Sequence, residues 1–346
     1  MDYLSLRKEV IDARLLERQY GYYAFKVALT IGMLALSLFI LLKANSFWLQ
    51  LLNAVPLAFV FVQFGLLMHD ASHQQIFNSS WKNRMVGLFT GNLVTGMSVG
   101  SWSINHNRHH SSPNDLDDDP DVRIPFLAYS ESQIRQKKGV SRLMARYQAF
   151  YWLPLMAISA ISVKMNHQMN AVRMLFKRQN AAYYLLEVVL MAISWTAYFG
   201  ILFWLMGPLK AFVFFGVHYL FTGLYMGTIF ATNHKGMPLL NGKERPDFLR
   251  MQVLTARNVK GSLLVDFWTG GLDYQIEHHL FPTMPRNNLS KAKKIVETFC
   301  KNAGVDYYET GFFHSYVEIL RHFRAVSAVL RQPEASQSAV LPASET

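Results

Sequence analysis

Four stretches of about twenty mostly apolar residues set the strongest limit on how this chain folds. They run from about 23 to 42, 48 to 68, 183 to 206 and 211 to 230, and each is near the length that a helix needs to cross a bilayer core. The whole sequence is 51% hydrophobic and only 16% charged, which departs from the averages of soluble proteins. The sequence therefore predicts an all-α integral membrane protein with four transmembrane helices.

Lysine and arginine are distributed unevenly around these stretches. Four precede the first stretch, thirteen lie between the second and third, and fourteen follow the fourth, whereas each of the two short connections holds one. Because such residues concentrate on the cytosolic side, we expect both termini and the central region in the cytosol of a multi-pass protein. The bacterial cytoplasmic membrane is the favoured location, with the endoplasmic reticulum as the alternative.

Residues 1–331 are expected to form a single membrane domain. The Ser/Ala/Pro-rich tail from 332 to 346 has no periodicity and is expected to be disordered. Two shorter apolar stretches, about 86 to 104 and 150 to 163, are interrupted by Gly, Ser, Asn or Pro. We interpret them as re-entrant or interfacial helices beside a cytosolic, histidine-rich helical cap.

The net charge of +11 does not indicate a nucleic-acid partner, because the basic residues flank apolar stretches instead of forming an aromatic-laced basic domain. The single cysteine, Cys300, excludes an internal disulfide and an all-cysteine zinc site. The first twenty residues alternate in charge, so the sequence predicts an amphipathic surface helix there and no signal peptide.

Eight of the twelve histidines form short clusters just outside the apolar stretches. Spacings of three or four residues place His69 with His73, and His106 with His109 and His110, on one face of a helix, and residues 275–279 repeat the second pattern with glutamine in first place. On the topology above, every cluster lies at the same side of the bilayer. The eight residues are His69, His73, His106, His109, His110, His234, His278 and His279.

This set of imidazoles predicts a metal centre. Imidazole suits iron, copper, nickel or zinc, so ligand type alone leaves the metal open. Eight rings exceed the ligands of one catalytic ion, which keeps at least one position free, and therefore indicate two metals with about four rings each. A dinuclear iron centre at a lipid surface suits dioxygen activation.

Three motifs carry a family resemblance: HDASH at 69–73, HNRHH at 106–110 and QIEHH at 275–279. Together with Pro113-Asn114, Asp119-Pro120-Asp121 and the segment FWTGGLDYQIEHHLFP at 267–282, they resemble the histidine boxes of the membrane fatty acid desaturase superfamily. Within it, they are similar to the subgroup of front-end and bacterial acyl desaturases. The resemblance covers about residues 20 to 310.

The resemblance implies two iron ions, dioxygen as co-substrate and insertion of a double bond into a long acyl chain carried by a membrane lipid or coenzyme A. The seven histidines of the three motifs should be iron ligands, and His234 is similar to an additional ligand of relatives. No His-Pro-Gly-Gly haem motif precedes the first stretch, so an external donor of the ferredoxin or cytochrome b5 type is expected.

A saturated hydrocarbon offers no acidic proton, carbonyl or leaving group, so side-chain acids, bases and nucleophiles cannot attack it. The metals and dioxygen would supply the oxidant, and the protein would orient them and exclude water. A di-iron hydroxylase or ketolase of a lipid is the first alternative function. A metal-binding membrane protein without redox chemistry is the second, although its ligands would more naturally lie within the spans.

Four polar residues next to the ligands are expected to hydrogen-bond the rings, with solvated surface charge as the alternative for the three carboxylates: Asp70, Asp273, Glu277 and Gln275. Gln275 stands where other branches of the superfamily have histidine, so a weak or water-mediated ligand role is the alternative. The acidic run from 115 to 121 lacks the glycine and bidentate glutamate of a calcium loop and is expected to support the site.

Some polar residues are placed outside the metal centre. His218 lies sixteen residues before His234, about 24 Å along a helix, and is expected to be structural. Gln63 and Glu187 are polar groups at membrane depth that border either a substrate channel or a packed interior. A basic surface of Arg135, Lys137, Lys138 and Arg142 attracts anionic headgroups, acyl carriers or an acidic donor, or simply follows from topology.

Overall fold

The computed structural model describes residues 2–177, 180–242 and 245–331, so the tail predicted to be disordered at 332–346 lies outside the described residues. The structure is mostly helical. Its α-helices are α1 (Tyr3–Asp12), α2 (Tyr20–Lys43), α3 (Phe47–Leu52), α4 (Ala54–Ser72), α5 (Ser80–Gly87), α6 (Val99–Ser111), α7 (Glu131–Gln136), α8 (Gly139–Arg146), α9 (Gln148–Phe176), α10 (Ala181–His234), α11 (Phe248–Leu254), α12 (Leu263–Thr269), α13 (Gln275–Leu280), α14 (Leu289–Asn302) and α15 (Phe312–Ala328).

Shorter elements complete the chain. A π-helix occupies Leu88–Thr95, and 3-10 turns occupy Pro120–Val122 and Arg286–Asn288. The mostly helical structure agrees with the predicted all-α class, and its one described strand pair is short: Asn258–Val259 (β1) and Glu309–Thr310 (β2) run parallel. These strands hold two loops of the cap together.

Three helices of the described residues are long and apolar enough to cross a membrane: Tyr20–Lys43, Phe47–Ser72 and Ala181–His234. They contain all four stretches that the sequence indicates. The second combines α3 and α4 and includes Asn53, whose side chain donates to the Ser37 carbonyl at 2.9 Å and accepts from the Ser37 hydroxyl at 3.0 Å. This pair fixes α2 against the start of α4.

Helix α10 is a hairpin of two arms. At Gly207 the backbone has φ 74° and ψ 167°, a conformation that is essentially restricted to glycine. The Tyr198 hydroxyl lies 2.8 Å from Nδ1 of His218, although the two residues would be about 30 Å apart on one continuous helix. The chain therefore turns back at Gly207, where the sequence predicts a connection between its third and fourth stretches.

Helix α9 is much longer than the apolar stretch at 150–163, for which the sequence predicts a short re-entrant or interfacial helix. It has 29 residues, with Pro154 tolerated in its early turns, and it packs along both arms of α10. The approach to the second arm is so close that a Cβ on Gly223 would lie 2.3 Å from the Ala157 carbonyl oxygen. Packing against α10 stabilises the polar second half of α9 as helix, which its composition does not predict.

A cap of mainly polar helices completes the fold. Its core combines α1, α11, α13 and α14, and the apolar side chains of Leu6 and Val10 on α1 are fully buried there. Helix α1 therefore packs against the cap along one face, which explains why its sequence is amphipathic. Helix α15 packs against α9, where Trp152 and Tyr316 stack with ring centroids 6.1 Å apart.

Candidate metal centre

The clustered histidines lie at the ends of helices, where apolar segments meet the cap. His69 and His73 stand at the end of α4, and His234 is the last residue of α10. Helix α6 carries three histidines in its last two turns, and the short helix α13 carries His278 and His279. Four separate parts of the chain thus deliver the eight rings to one place.

Five of the rings form the first histidine set, and their ligand atoms all lie within 4.8 Å of one another: His69, His73, His106, His110 and His278. The closest approaches are 2.8 Å between Nε2 of His106 and Nε2 of His73, and 3.1 Å between Nε2 of His110 and Nε2 of His106. These short contacts bring the ring nitrogens together at one place, as a shared metal site requires.

The second histidine set contains His109, His234 and His279, again with ligand atoms within 4.8 Å of one another. Nε2 of His234 lies 3.1 Å from Nε2 of His279. The two sets are neighbours, because the rings of His110 and His279 stack with centroids 4.2 Å apart. The arrangement provides one group of five rings and one of three, side by side.

The rings of the second set are oriented by acceptors on their outer nitrogens. Nδ1 of His234 lies 3.0 Å from the Thr255 carbonyl, and Nδ1 of His279 lies 2.8 Å from Oε1 of Gln252. A carbonyl oxygen only accepts, so each Nδ1 carries the proton and each Nε2 has a lone pair. The lone pair of His279 is directed at the other rings, and that of His234 also faces the Gln275 amide nitrogen, which a bound metal would displace.

For His109, the acceptor on the outer ring nitrogen is a carboxylate. Its Nδ1 lies 2.9 Å from Oδ2 of the buried Asp119, which also accepts the backbone N–H of Asn114 at 2.7 Å. Burial alone would lower the pKa of His109, but the nearby carboxylates of Asp121 and Asp119 outweigh it and raise that pKa. Asp119 comes from the acidic run that the sequence assigns to the support of the site.

Burial keeps four rings of the first set neutral. It lowers the pKa of His73, His106, His110 and His278 well below the usual value, and the neighbouring histidines lower it further. Neutral imidazole is the form that binds a metal.

Several nitrogens of the first set are buried without a hydrogen-bond partner among the described residues, namely Nε2 of His69, Nδ1 of His110 and both ring nitrogens of His278. Buried polar atoms are normally satisfied, so these nitrogens fit a bound cation.

Asp70 lies between the histidine rings and the buried guanidinium group of Arg286. Its Oδ1 is 3.4 Å from Nδ1 of His69, and its Oδ2 is 2.5 Å from Nε of Arg286. All three side chains are buried. Asp70 therefore contacts a ring as the sequence predicts, and Arg286 supplies the compensating charge that a buried carboxylate requires.

Asp273 and Glu277 are buried, but the hydrogen bonds that the structure describes for them do not reach a histidine ring. Glu277 accepts from Nδ2 of Asn258 at 2.6 Å and from the Tyr307 hydroxyl at 2.8 Å, and burial raises its pKa to about 7. Asp273 accepts from the Thr269 hydroxyl at 2.5 Å, and burial raises its pKa to about 8. The described partners of both carboxyls lie in the cap, and contact of this pair with the rings stays a prediction.

Gln275 lies beside the second set. Its Nε2 is 2.9 Å from Nε2 of His234, and its Oε1 accepts from Nδ2 of Asn233 at 2.9 Å. Because Asn233 fixes the amide oxygen, the amide nitrogen faces the ring. This contact is the hydrogen bond to a neighbouring ring that we favour over a ligand role.

The polar residues placed outside the centre have other partners. His218 faces the Tyr198 hydroxyl, as described above, and belongs to neither set. Glu187 accepts from the Ser98 hydroxyl at 2.6 Å and from the backbone N–H of Gly100 at 2.7 Å, so it holds the N-terminus of α6. Gln63 donates to the Tyr225 hydroxyl at 2.8 Å. Both therefore have partners inside the packed helices.

Sequence reasoning missed several residues that touch the rings. Gln252 and Thr255 lie on or just after α11, far along the chain from some of the histidines around them, and no motif marks them. Arg286, which contacts Asp70 and not a ring, is likewise unmarked. Trp102 stacks on His106 with centroids 4.2 Å apart, and its position four residues earlier on α6 is a spacing signal that could have identified it.

Comparison with known proteins decides the family. A family model described as fatty acid desaturase matches residues 46–311, well over half of the chain, and this range contains all eight clustered histidines. The chain belongs to the fatty acid desaturase family. Fatty acid desaturases are oxidoreductases, so the predicted family and enzyme class are confirmed.

Named relatives among the fatty acid desaturases extend along nearly all of this chain. It is 30% identical to an acyl-lipid (9-3)-desaturase of Physcomitrium patens over 97% of its own length and 65% of that protein. It is 31% identical to a delta(8)-fatty-acid desaturase of Euglena gracilis, over 98% of its own length and 81% of that protein. A delta(6)-fatty-acid desaturase of Caenorhabditis elegans is 30% identical, with 92% and 73% covered. The chain thus spans about two thirds to four fifths of these relatives.

Proposed function

We propose that this chain inserts a double bond into a long fatty acyl chain at a centre of two iron ions, using dioxygen and electrons from a separate donor protein. The observation that carries the proposal is the division of eight imidazoles, six of them buried, into two adjoining sets. Each set offers at least three nitrogen ligands, which suits two ions with positions left for dioxygen.

The proposed ligands are the five rings of the first set for one iron and the three of the second set for the other. The acceptors at Asp119, Gln252 and Thr255 hold three rings in the tautomer whose Nε2 is bare. Such outer partners typically change metal affinity or activity by about 10–100-fold. When bound, the iron pair would supply the redox chemistry with dioxygen that an unactivated methylene requires.

The protein's own contribution is to hold the acyl chain and to exclude water. In the net reaction two hydrogens leave adjacent methylenes and, with two electrons and two protons from the donor side, reduce one dioxygen to two waters. Burial of the rings limits the loss of oxidising equivalents to solvent. An acyl-lipid or acyl-coenzyme A is the proposed substrate, and a ferredoxin or a cytochrome b5 is the proposed donor.

We also propose that α2, the α3–α4 pair and the two arms of α10 cross the membrane, with the histidines and both termini on the cytosolic side. The two connections, at 44–46 and at Gly207, would then be external. The two connections adjoin one basic residue each, Lys43 and Lys210. Most other basic residues would lie on the opposite side, which agrees with the enrichment of lysine and arginine in the cytosol.

Expression in a host that lacks the activity tests the function. The proposal predicts new unsaturated acyl chains in the host lipids, and it predicts none when His109 or His278 is replaced by alanine. His314→Ala is the matched control, because that ring is exposed and lies on α15 outside both sets. Hydroxylated or keto products would support the alternative reading of the same centre, and wild-type activity in both alanine variants would reject the proposed ligands.

A further inference from the structure

A basic cleft opens on the surface between the loop that follows the acidic run and helices α7 and α8. Its volume is about 370 Å³, within the lower range of small-ligand sites. Three cations line it, Arg123, Lys137 and Lys138, together with apolar residues and polar ones that do not ionise. None of the lining residues is acidic.

The three cations have no carboxylate partner among the described residues. Nε of Arg123 donates to the Leu116 carbonyl at 3.3 Å, and Nζ of Lys137 donates to the Pro125 carbonyl at 2.7 Å. These contacts fix the side chains without neutralising them. Partial burial lowers the pKa of Lys137, a cost that a bound anion would remove.

An exposed apolar row lies next to the cleft. Val140 is 72% exposed, Leu143 60% and Phe150 70%, although all three are large hydrophobic residues. Val140 and Leu143 share one face of α8. The same helix also carries Arg142 and Arg146. An apolar helix face bordered by arginine and lysine is the pattern of a helix that lies in a membrane surface.

The position of α8 in the fold agrees with such a placement. Helix α9 follows it directly and begins in the cap, where Trp152 contacts Tyr316 of α15. One turn later Met156 lies against Gly227 of α10, in the apolar part of the molecule. The cleft and the apolar row therefore stand at the boundary between the cap and the apolar helices.

We propose that the cleft binds the phosphate of an anionic membrane phospholipid, while the apolar row of α8 and Phe150 inserts among the neighbouring acyl chains. The charge of the cleft selects the anion, and the adjoining apolar row selects a lipid over free phosphate. The proposal rests on the membrane placement proposed above but not on the desaturation chemistry, because lipid binding does not require the metal centre.

Retention of lipid by the purified full-length protein tests this site. The protein in an uncharged detergent is incubated with equal amounts of phosphatidylglycerol and phosphatidylcholine, separated by gel filtration, and its retained lipid is measured by mass spectrometry. The wild type is expected to retain mainly phosphatidylglycerol. Lys138→Gln and the pair Lys137→Gln with Lys138→Gln should lose that preference, by roughly fivefold for each charge removed, the equivalent of about 1 kcal/mol.

Arg135→Gln is the matched control. This residue stands on α7, carries the same charge, lies 3.7 Å from Glu131 and does not line the cleft. Lys138 is exposed, so its variant should fold normally, which the thermal unfolding midpoint checks. An equal effect of Arg135→Gln, no preference in the wild type, or displacement of the lipid by an equal concentration of inorganic phosphate would each overturn the proposal.

Discussion

Single residues around the second histidine set determine which ring nitrogen is available. The Thr255 carbonyl and the Gln252 amide oxygen accept from Nδ1 of His234 and His279, which leaves both Nε2 lone pairs directed inward. Histidine spacing along the chain predicts that rings share a helix face, but it does not indicate their tautomers. Those depend on residues that the fold brings in from other elements.

The contact between Asp119 and His109 gives the first prediction. Asp119→Asn keeps the size of the side chain but removes its negative charge, so His109 should be held less firmly as a neutral Nε2 ligand. We expect activity to fall by about 10–100-fold and the iron content to drop toward one per chain. Activity assays and elemental analysis of the purified variant measure both effects.

Asp117→Asn is the control for this change, since Asp117 belongs to the same acidic run and to neither histidine set. The role of Asp119 is rejected if both variants keep two irons and full activity, or if both lose them equally.

Gln275 allows a second test at residue scale, because its hydrogen bond to His234 and a ligand role predict different metal contents. Gln275→Leu removes the hydrogen bond to the ring and one of the two acceptors of the Asn233 amide, which keeps the Leu272 carbonyl. If Gln275 only hydrogen-bonds the ring, the variant should keep about two irons per chain with reduced turnover. A loss of one iron would instead identify Gln275 as a ligand.

Helices set the geometry of the centre through their ends. Glu187 on α10 accepts from Ser98 and from the backbone of Gly100, which fixes the start of the helix that carries three of the rings. A carboxylate at a helix N-terminus is favoured by the helix dipole. The sequence indicates that Glu187 is a polar group at membrane depth but not which residues it contacts, because Ser98 and Gly100 lie almost ninety residues earlier.

The turn at Gly207 gives a prediction at element scale. Gly207→Ala should lower the free energy of unfolding by about 1–3 kcal/mol, because its backbone conformation is essentially restricted to glycine. Gly200→Ala is the control, since Gly200 lies within the helical part of the first arm and a Cβ added there would meet no atom within 4 Å. Thermal unfolding in detergent measures both, and equal midpoints would contradict the strained turn.

Apolar length predicts some elements better than others. The hairpin of α10 follows from two apolar stretches separated by Gly207 and Pro208, which break a helix locally. The second half of α9 does not follow from an apolar stretch, because Lys164, His167 and Gln168 make it polar. All three find partners inside the fold, which are in turn Tyr219, Ser101 and the Gly96 carbonyl. Tertiary packing overrides local composition there.

The whole molecule brings the ends of α4, α6, α10 and α13 together. The sequence predicts this convergence from charge distribution, since all four histidine clusters fall on one side of the expected membrane. It does not predict the division into five and three rings, because that depends on how the four helices pack.

Cysteine labelling tests the proposed topology of the intact protein in cells. In a Cys300→Ser background, a single cysteine at Ser46 or Leu209 should react with a membrane-impermeant maleimide added outside, whereas one at Ser5 should react only after permeabilisation. Ser46 and Leu209 lie at the two connections of the apolar helices. The reverse pattern would place the histidines outside the cytosol.

The central claim is that eight histidines from distant parts of the chain hold two irons. Elemental analysis and Mössbauer spectroscopy of the purified, active protein measure this most directly. The arrangement of rings predicts about two irons per chain, in two environments of equal population. One iron per chain, or zinc in place of iron in active protein, would contradict it.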